Sequence, residues 1–272
     1  MKKIIMAVIK QFVCIVLSLV VILPFYMVII NSFKSKAEAA RMSLALPTQW
    51  VFSNYSHVIK QGKLLQGFTN SLLYAVVATL LAVITCAMAA FVICRNKTKL
   101  NTFFYYFILC GLFVPVNYVT LIQVMNFFRV YDTRTGLIIA FSSSMIPFCV
   151  FTIRNFMTSV PVELDEAAVI DGSGAINLFF QIIIPLLKPI LVTAFILQFM
   201  SVWSDFMTPL YLSNKSSMWP MNLAVYSFFG KNAQYWNYVF ADIALTCFPV
   251  ILVYLLGQRY IIGGLTSGAV KE

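Results

Sequence analysis

Between Gln11 and Phe33 the chain carries no charged side chain: "QFVCIVLSLVVILPFYMVIINSF". A helix advances about 1.5 Å per residue and the hydrocarbon core of a bilayer is about 30 Å thick, so about 20 apolar residues suffice to cross it. This run meets that length. Lys2, Lys3 and Lys10 precede it as basic residues precede a signal peptide, but the run is longer than an h-region of about 7 to 15 residues. The segment is therefore expected to be retained as a span. Comparable apolar runs place spans near 9–31, 71–94, 103–127, 136–157, 189–212 and 242–261. Backbone groups in lipid must be satisfied within the spanning element, and the runs lack the alternation of barrel strands. The expected class is all-α: a polytopic transmembrane bundle of six spans, read as one domain over 1–272.

Composition narrows the partners. Charged residues make up 10% of the chain and hydrophobic ones 61%, against roughly 25% charged in soluble domains. The six cysteines form no CxxC pair and His57 is the single histidine, so neither a zinc site nor a disulfide framework is readable. Net charge is +10, yet the densest basic cluster is "RNKTK" at 95–99. Positive charge beside membrane spans explains that better than nucleic acid, which is not an expected partner.

Six spans put both termini on one side. If Lys2, Lys3 and Lys10 mark the cytoplasm, Arg95, Lys97, Lys99, Arg154, Lys188, Arg259 and Lys271 lie inside too, ten basic residues against nine outside. That split decides little. Density is the better guide, because "RNKTK" fills the shortest connection while the outer basic residues are spread over 32–70 and 213–241. In the first of these loops Trp50 and Tyr55 are expected as interfacial anchors.

The segment "ELDEAAVIDGSGAINLFFQIIIPLLKP", residues 163–189, interrupts the apolar pattern with four carboxylates. Pro161 suits a first helical turn, Ser159 can cap it, and Glu163, Asp165 and Glu166 lie near its positive end. Leu164, Ala167, Ala168 and Asp171 recur at helical spacing and predict one stripe. Gly172 supplies a left-handed stop, Ser173 can cap a second helix from about Ala175 to Ile184, and Pro185 is expected to end it. Ala167 and Ala168 allow close approach by a partner, and the flanking acids can accept charge-assisted bonds from its Arg or Lys. The alternative is an amphipathic connection on the membrane surface, though such helices favour Lys and Arg over acids.

"EAAVIDG", followed nine residues later by "IIIP", resembles the EAA signature of bacterial ABC importer permeases, at Glu166, Ala167, Ala168, Gly172, Ile182 and Pro185. Ile184 stands where that family usually has Leu. "LPFYMVIINSFK" (23–34), "TNSLLYAVVATLLAVITCAMAAF", "FMSVWSDFMTPL" (199–210) and "QRYIIGGLTSGAVKE" (258–272) resemble further elements of the MalG-type carbohydrate permeases, with Ser204 where Asn is common. The resemblance implies a cytoplasmic coupling helix between spans 4 and 5, seated in a groove of an ATPase subunit. It also implies a second permease subunit in a heterodimer, two cytoplasmic ATPase subunits and an extracytoplasmic solute-binding protein. ATP and Mg²⁺ would sit on the ATPase partners, with no cofactor in this chain, and the location implied is the bacterial cytoplasmic or inner membrane with both termini inside.

Asn117, Tyr118, Gln123 and Asn126 in the third span, and Trp203 and Asp205 in the fifth, are candidates for a translocation pathway. Polar glue between helices is the competing role for the third-span group. Asp205 falls about 24 Å along a helix begun at Pro189, toward the outer face, and Asp242 opens the sixth span on the same side. Each can bond sugar hydroxyls, or be a solvated interfacial residue or partner of Lys215 and Lys231. Gly263, Gly264 and Gly268 can bend the tail away from the sixth span toward the ATPase.

The function expected is import of a sugar or oligosaccharide by ATP-driven alternating access, with a polyol or glycerol-phosphate importer as the nearer alternative. A membrane transferase holding a metal through Asp165, Glu166 and Asp171 is the alternative from another class. A second acidic cluster for such a site is missing, as are a P-loop and the midplane ionisable groups of a secondary transporter.

Overall fold

The computed structural model describes residues 2–228 and 235–267, and no strand occurs among them. The helices run in order α1 (Lys2–Ser32), α2 (Lys36–Ala39), α3 (Ser53–Gln61), α4 (Leu64–Arg95), α5 (Lys99–Cys110), α6 (Tyr118–Phe127) and α7 (Arg134–Met157). After them come α8 (Glu163–Ile170), α9 (Ala175–Asn177), a π-helical turn over Leu178–Ile183, α10 (Ile184–Ser204), α11 (Met207–Leu212), α12 (Met221–Ala224) and α13 (Trp236–Ser267). Five apolar helical stretches are long enough to cross a membrane: Ile9–Ser32, Leu64–Arg95, Arg134–Met157, Ala175–Ser204 and Trp236–Ile261.

Two compact units emerge, the first built from Met1–Leu65 and Ala224–Pro249. Here α1 leaves its apolar side chains exposed along almost its whole length, as suits a lipid-facing helix. The chain after it is held by polar bonds. Lys34 Nζ is buried and donates to Asn31 Oδ1 (3.0 Å) and to the Ser43 carbonyl (2.7 Å); burial pushes its pKa down, against the opposing charge of Glu38. Asn54 donates to the carbonyls of Ser32 and Lys34, and Asn237 donates to Asn54 Oδ1. Tyr55 shares a hydrogen bond with Ser32 and packs on Phe33, while Trp50 stays half exposed against the same ring.

The second unit, Gln66–Leu223 with Val250–Glu272, carries the spans of α4, α7 and α10 and the later part of α13. Its packing begins with small residues. Ala75, Ala78, Ala82, Ala87 and Ala90 of α4 are buried, and Ser142 of α7 comes close enough to donate to the Ala78 carbonyl at 3.1 Å. Small side chains permit this approach where hydrophobic burial gives membrane helices little drive to associate. At the far end of α4, Asn70 and Tyr74 donate to carbonyls of 217–219, and Arg134 joins them, so the 213–223 loop is held against α4 and α7.

The third span differs from its expected form. Instead of one helix over 103–127, α5 and α6 flank an irregular stretch at 111–117. Pro115 has no N–H to offer a helix and disfavours helical backbone at Val114. Asn117 then opens α6 by accepting from Thr120 N at 3.1 Å. Gly111 is needed for proximity, since a Cβ there would lie 2.8 Å from the Pro147 ring in α7. The fifth span is likewise interrupted after Ser204, with α11 a separate short helix.

Pro185 does not stop a helix as expected. It occupies the first turn of α10, where a missing N–H is harmless, and the π-helical turn connects it to α9. The glycines of the tail also continue helically: α13 passes through Gly263 and Gly264 to Ser267, while Lys231, Gly268 and Lys271 lie outside the described residues.

Candidate functional site

The acidic segment forms a short helix with two defined ends. Glu163, Asp165 and Glu166 occupy the first turn of α8, beside the positive end of its dipole. Ser159 does not cap it: the helix starts at Glu163, which puts Val162 at the cap, and the Ser159 hydroxyl donates to the Phe156 carbonyl at 2.7 Å. The other end is a Schellman stop, with Ser173 N donating to Ala168 O (2.9 Å) and Gly172 N to Val169 O (3.0 Å). Gly172 adopts φ +82° as its position requires. Gly174 precedes α9 where a Ser173 cap was expected, and it provides no side-chain bond.

Rotation of α8 about its axis is set by one ion pair. Arg95, at the end of α4, donates from Nε to Asp165 Oδ2 at 2.6 Å and from Nη2 to Oδ1 at 3.1 Å. Its remaining donors reach the carbonyls of Val160 and Pro161. Asp165 and Ala168 therefore face inward, and the predicted stripe is divided: Leu164, Ala167 and Asp171 are exposed, Ala168 is buried. Val169, Ile170 and Ile176 join the outer surface, Ile170 being 85% exposed. Glu163 and Glu166 are exposed beside this patch, Ile182 is half-buried in the π-helical turn, and Pro185 is exposed.

That geometry leaves little for a metal. Asp165 is engaged by Arg95, and no cluster of three His, Cys, Asp or Glu suited to an ion occurs among the described residues.

The candidate pathway residues fall into two sets. Asp205, just before α11, accepts from Thr208 N (3.0 Å) and Oγ1 (2.6 Å), while Tyr118 hydrogen-bonds the Thr208 hydroxyl and stacks on Tyr211. Asn222 donates to the carbonyls of Trp203 and Asp205, taking up backbone groups freed where α10 ends. Trp203 is buried against Phe68 and Phe199, and Asn117 is the cap of α6. Gln123 and Asn126 are exposed on α6 and belong to neither arrangement. Lys215 pairs with Asp132 at 3.4 Å, not with Asp205 or Asp242, because the loop after α11 returns to the start of α7.

Arg95, Thr208 and Asn222 were not read as site residues. Arg95 had a visible signal, an arginine closing an apolar span, but its carboxylate partner lies 70 positions away.

A chain with no strand among its described residues and five apolar helices long enough to span a bilayer defines a polytopic membrane protein of the helical class. Residues 83–266 match the family described as "Binding-protein-dependent transport system inner membrane component". The chain belongs to this family, in its MalG-like carbohydrate branch. It is 32% identical, over 96% of both chains, to the probable starch degradation products transport system permease protein AmyC of Thermoanaerobacterium thermosulfurigenes. It is 30% identical to the melibiose/raffinose/stachyose import permease protein MelC of Bacillus subtilis, over 92% of this chain and 91% of MelC. In fold it resembles a chain of a bacterial ABC transporter involved in the import of the acidic polysaccharide alginate, with TM-score 0.82, 21% identity, and coverage of 94% of this chain and 96% of that one. A chain of the MetNI methionine ABC transporter shares the fold more distantly, with TM-score 0.57 at 16% identity over 74% of this chain.

Proposed function

We propose that this chain is a permease subunit that carries a sugar or oligosaccharide inward, driven by ATPase subunits that bind the outer face of α8. The observation that carries the proposal is the build of α8: anchored on its inner side by Arg95–Asp165, stopped by Gly172, and exposing Leu164, Ala167, Val169 and Ile170 outward. A helix fixed in this way transmits displacement as a rigid body, so closure of an ATPase dimer against it would rock the spans it is bonded to. Ala167 lets the partner approach closely, and Glu163, Glu166 and Asp171 offer acceptors for its basic side chains.

The assembly proposed is a heterodimer with a second permease, two ATPase subunits that hold ATP and Mg²⁺, and an extracytoplasmic solute-binding protein, with both termini and α8 in the cytoplasm. The substrate class follows the names of relatives such as MelC and AmyC. For the pathway itself, Gln123 and Asn126 are the candidates whose amides are exposed, whereas Asn117, Trp203 and Asp205 support the helix breaks beside them.

Purification of the tagged chain from native membranes in mild detergent tests the coupling surface. Wild type should bring down an ATPase subunit and a second permease, and Glu166→Lys should lose the ATPase while retaining the permease. Wild type purifying alone, or as a homo-oligomer, would contradict the proposal.

A further inference from the structure

Beside the Arg95 anchor, the last turn of α4, the middle of α5 and the last turn of α7 border a cavity of about 290 Å³, near the lower end of the roughly 300–1,000 Å³ usual for ligand sites. Lys97, Arg154 and Tyr106 are among its lining residues, and no carboxylate is. Arg154 is held rather than free-swinging: its guanidinium lies 4.4 Å from the centre of the Tyr105 ring. Yet Nε is buried with no hydrogen-bond partner among the described residues. The hydroxyl protons of Thr102 and Thr158, which also line the cavity, go to the backbone carbonyls of Thr98 and Asn155. The donors left to a ligand are therefore cationic or phenolic, and a cavity lined by Lys97 and Arg154 with no carboxylate among its lining residues suits an anion.

We infer that this cavity binds the phosphate headgroup of an anionic phospholipid. The shared chemistry is a phosphate, but the surroundings favour one attached to a lipid. Tyr106, which lines the cavity, is 62% exposed, and Leu100, Phe103 and Phe107 on another face of α5 are exposed as well, so the helix that bears the cavity presents apolar and aromatic surface outward. Basic side chains at the polar end of spanning helices, next to exposed aromatic rings, are placed as a headgroup site requires. The lipid would brace α4 to α7 beside the residue that anchors α8. Membrane lipid composition then becomes an input to the segment that receives the ATPase.

Native mass spectrometry of the purified full chain, titrated with phosphatidylglycerol or phosphatidylcholine, tests this. Phosphatidylglycerol should be retained preferentially, and Lys97→Gln and Arg154→Gln should each lower its retention about fivefold. Lys60→Gln, outside the cavity, should leave it unchanged. Lys97 is exposed, so its substitution tests the site even if Arg154→Gln disturbs the stack on Tyr105. Equal retention of the two lipids, or preference unaffected by Lys97→Gln, would overturn the inference. Displacement of phosphatidylglycerol by millimolar inorganic phosphate would overturn it too, by assigning the cavity to a soluble anion.

Discussion

Arg95 shows how far one side chain can determine the orientation of a short helix. Its guanidinium takes both oxygens of Asp165 and two carbonyls of the chain just before α8, with the two side chains only 11% and 13% exposed. Removing either partner strands the other in a largely dry position, at a cost of about 3 kcal/mol. Asp165→Asn and Arg95→Gln should each lower the unfolding temperature and reduce ATP-driven uptake. The double variant should lose less than the sum, because the second change removes a charge already unpaired. Strict additivity in thermal unfolding would show that the two residues act separately. Asp165 was legible as a first-turn acid because its position in α8 is local. Its inward direction was not, since helical spacing among 163–171 is equally consistent with presenting Ala167 and Ala168 together.

Among elements, the sequence reads well where structure is local and poorly where a break is repaired from a distance. The first and fourth expected spans agree with Ile9–Ser32 and Arg134–Met157 to within two residues, and the second and sixth begin six or seven residues earlier than expected. The fifth is displaced, Ala175–Ser204 against 189–212, because the chain is helical through Pro185 and breaks after Ser204. The divided third span carried its own warning in Pro115 and Asn117, which a length criterion passes over. The end of α10 did not: the donor that satisfies its carbonyls is Asn222, 17 positions beyond Asp205. Gly172 is the element boundary most exposed to test. Its φ is +82° and nothing lies within 4 Å of a Cβ built there, so Gly172→Ala should cost only the backbone term of about 1–2 kcal/mol. Gly172→Asn should cost less, since Asn tolerates this region. Proline cannot take positive φ at all, so Gly172→Pro should abolish uptake while the protein still reaches the membrane in normal amount. Normal uptake by that variant would remove α8 from the coupling step.

For the molecule as a whole, membrane class was fixed by composition and the family by a motif, but sidedness has to be argued from weaker forces. The ten-to-nine division of basic residues gives almost no bias, whereas Lys97 and Lys99 crowd a short connection, where the positive-inside preference acts most strongly. Arg95 and Arg154 belong to the same end of the second unit as α8, the former by direct bonding and the latter through the cavity it shares with Lys97. That end should therefore face the cytoplasm, with Thr48 and its loop outside. In a variant lacking the six native cysteines, Lys97→Cys and Ile176→Cys should react with a membrane-impermeant maleimide only in inverted vesicles. Thr48→Cys should react only in right-side-out ones. Ile176 is a sensitive reporter because it is 75% exposed, and bound ATPase should shield it while leaving Thr48→Cys reactive. The opposite labelling pattern would place α8 on the side where no ATP is available, and coupling through its outer face would then be untenable whatever the pull-down recovered.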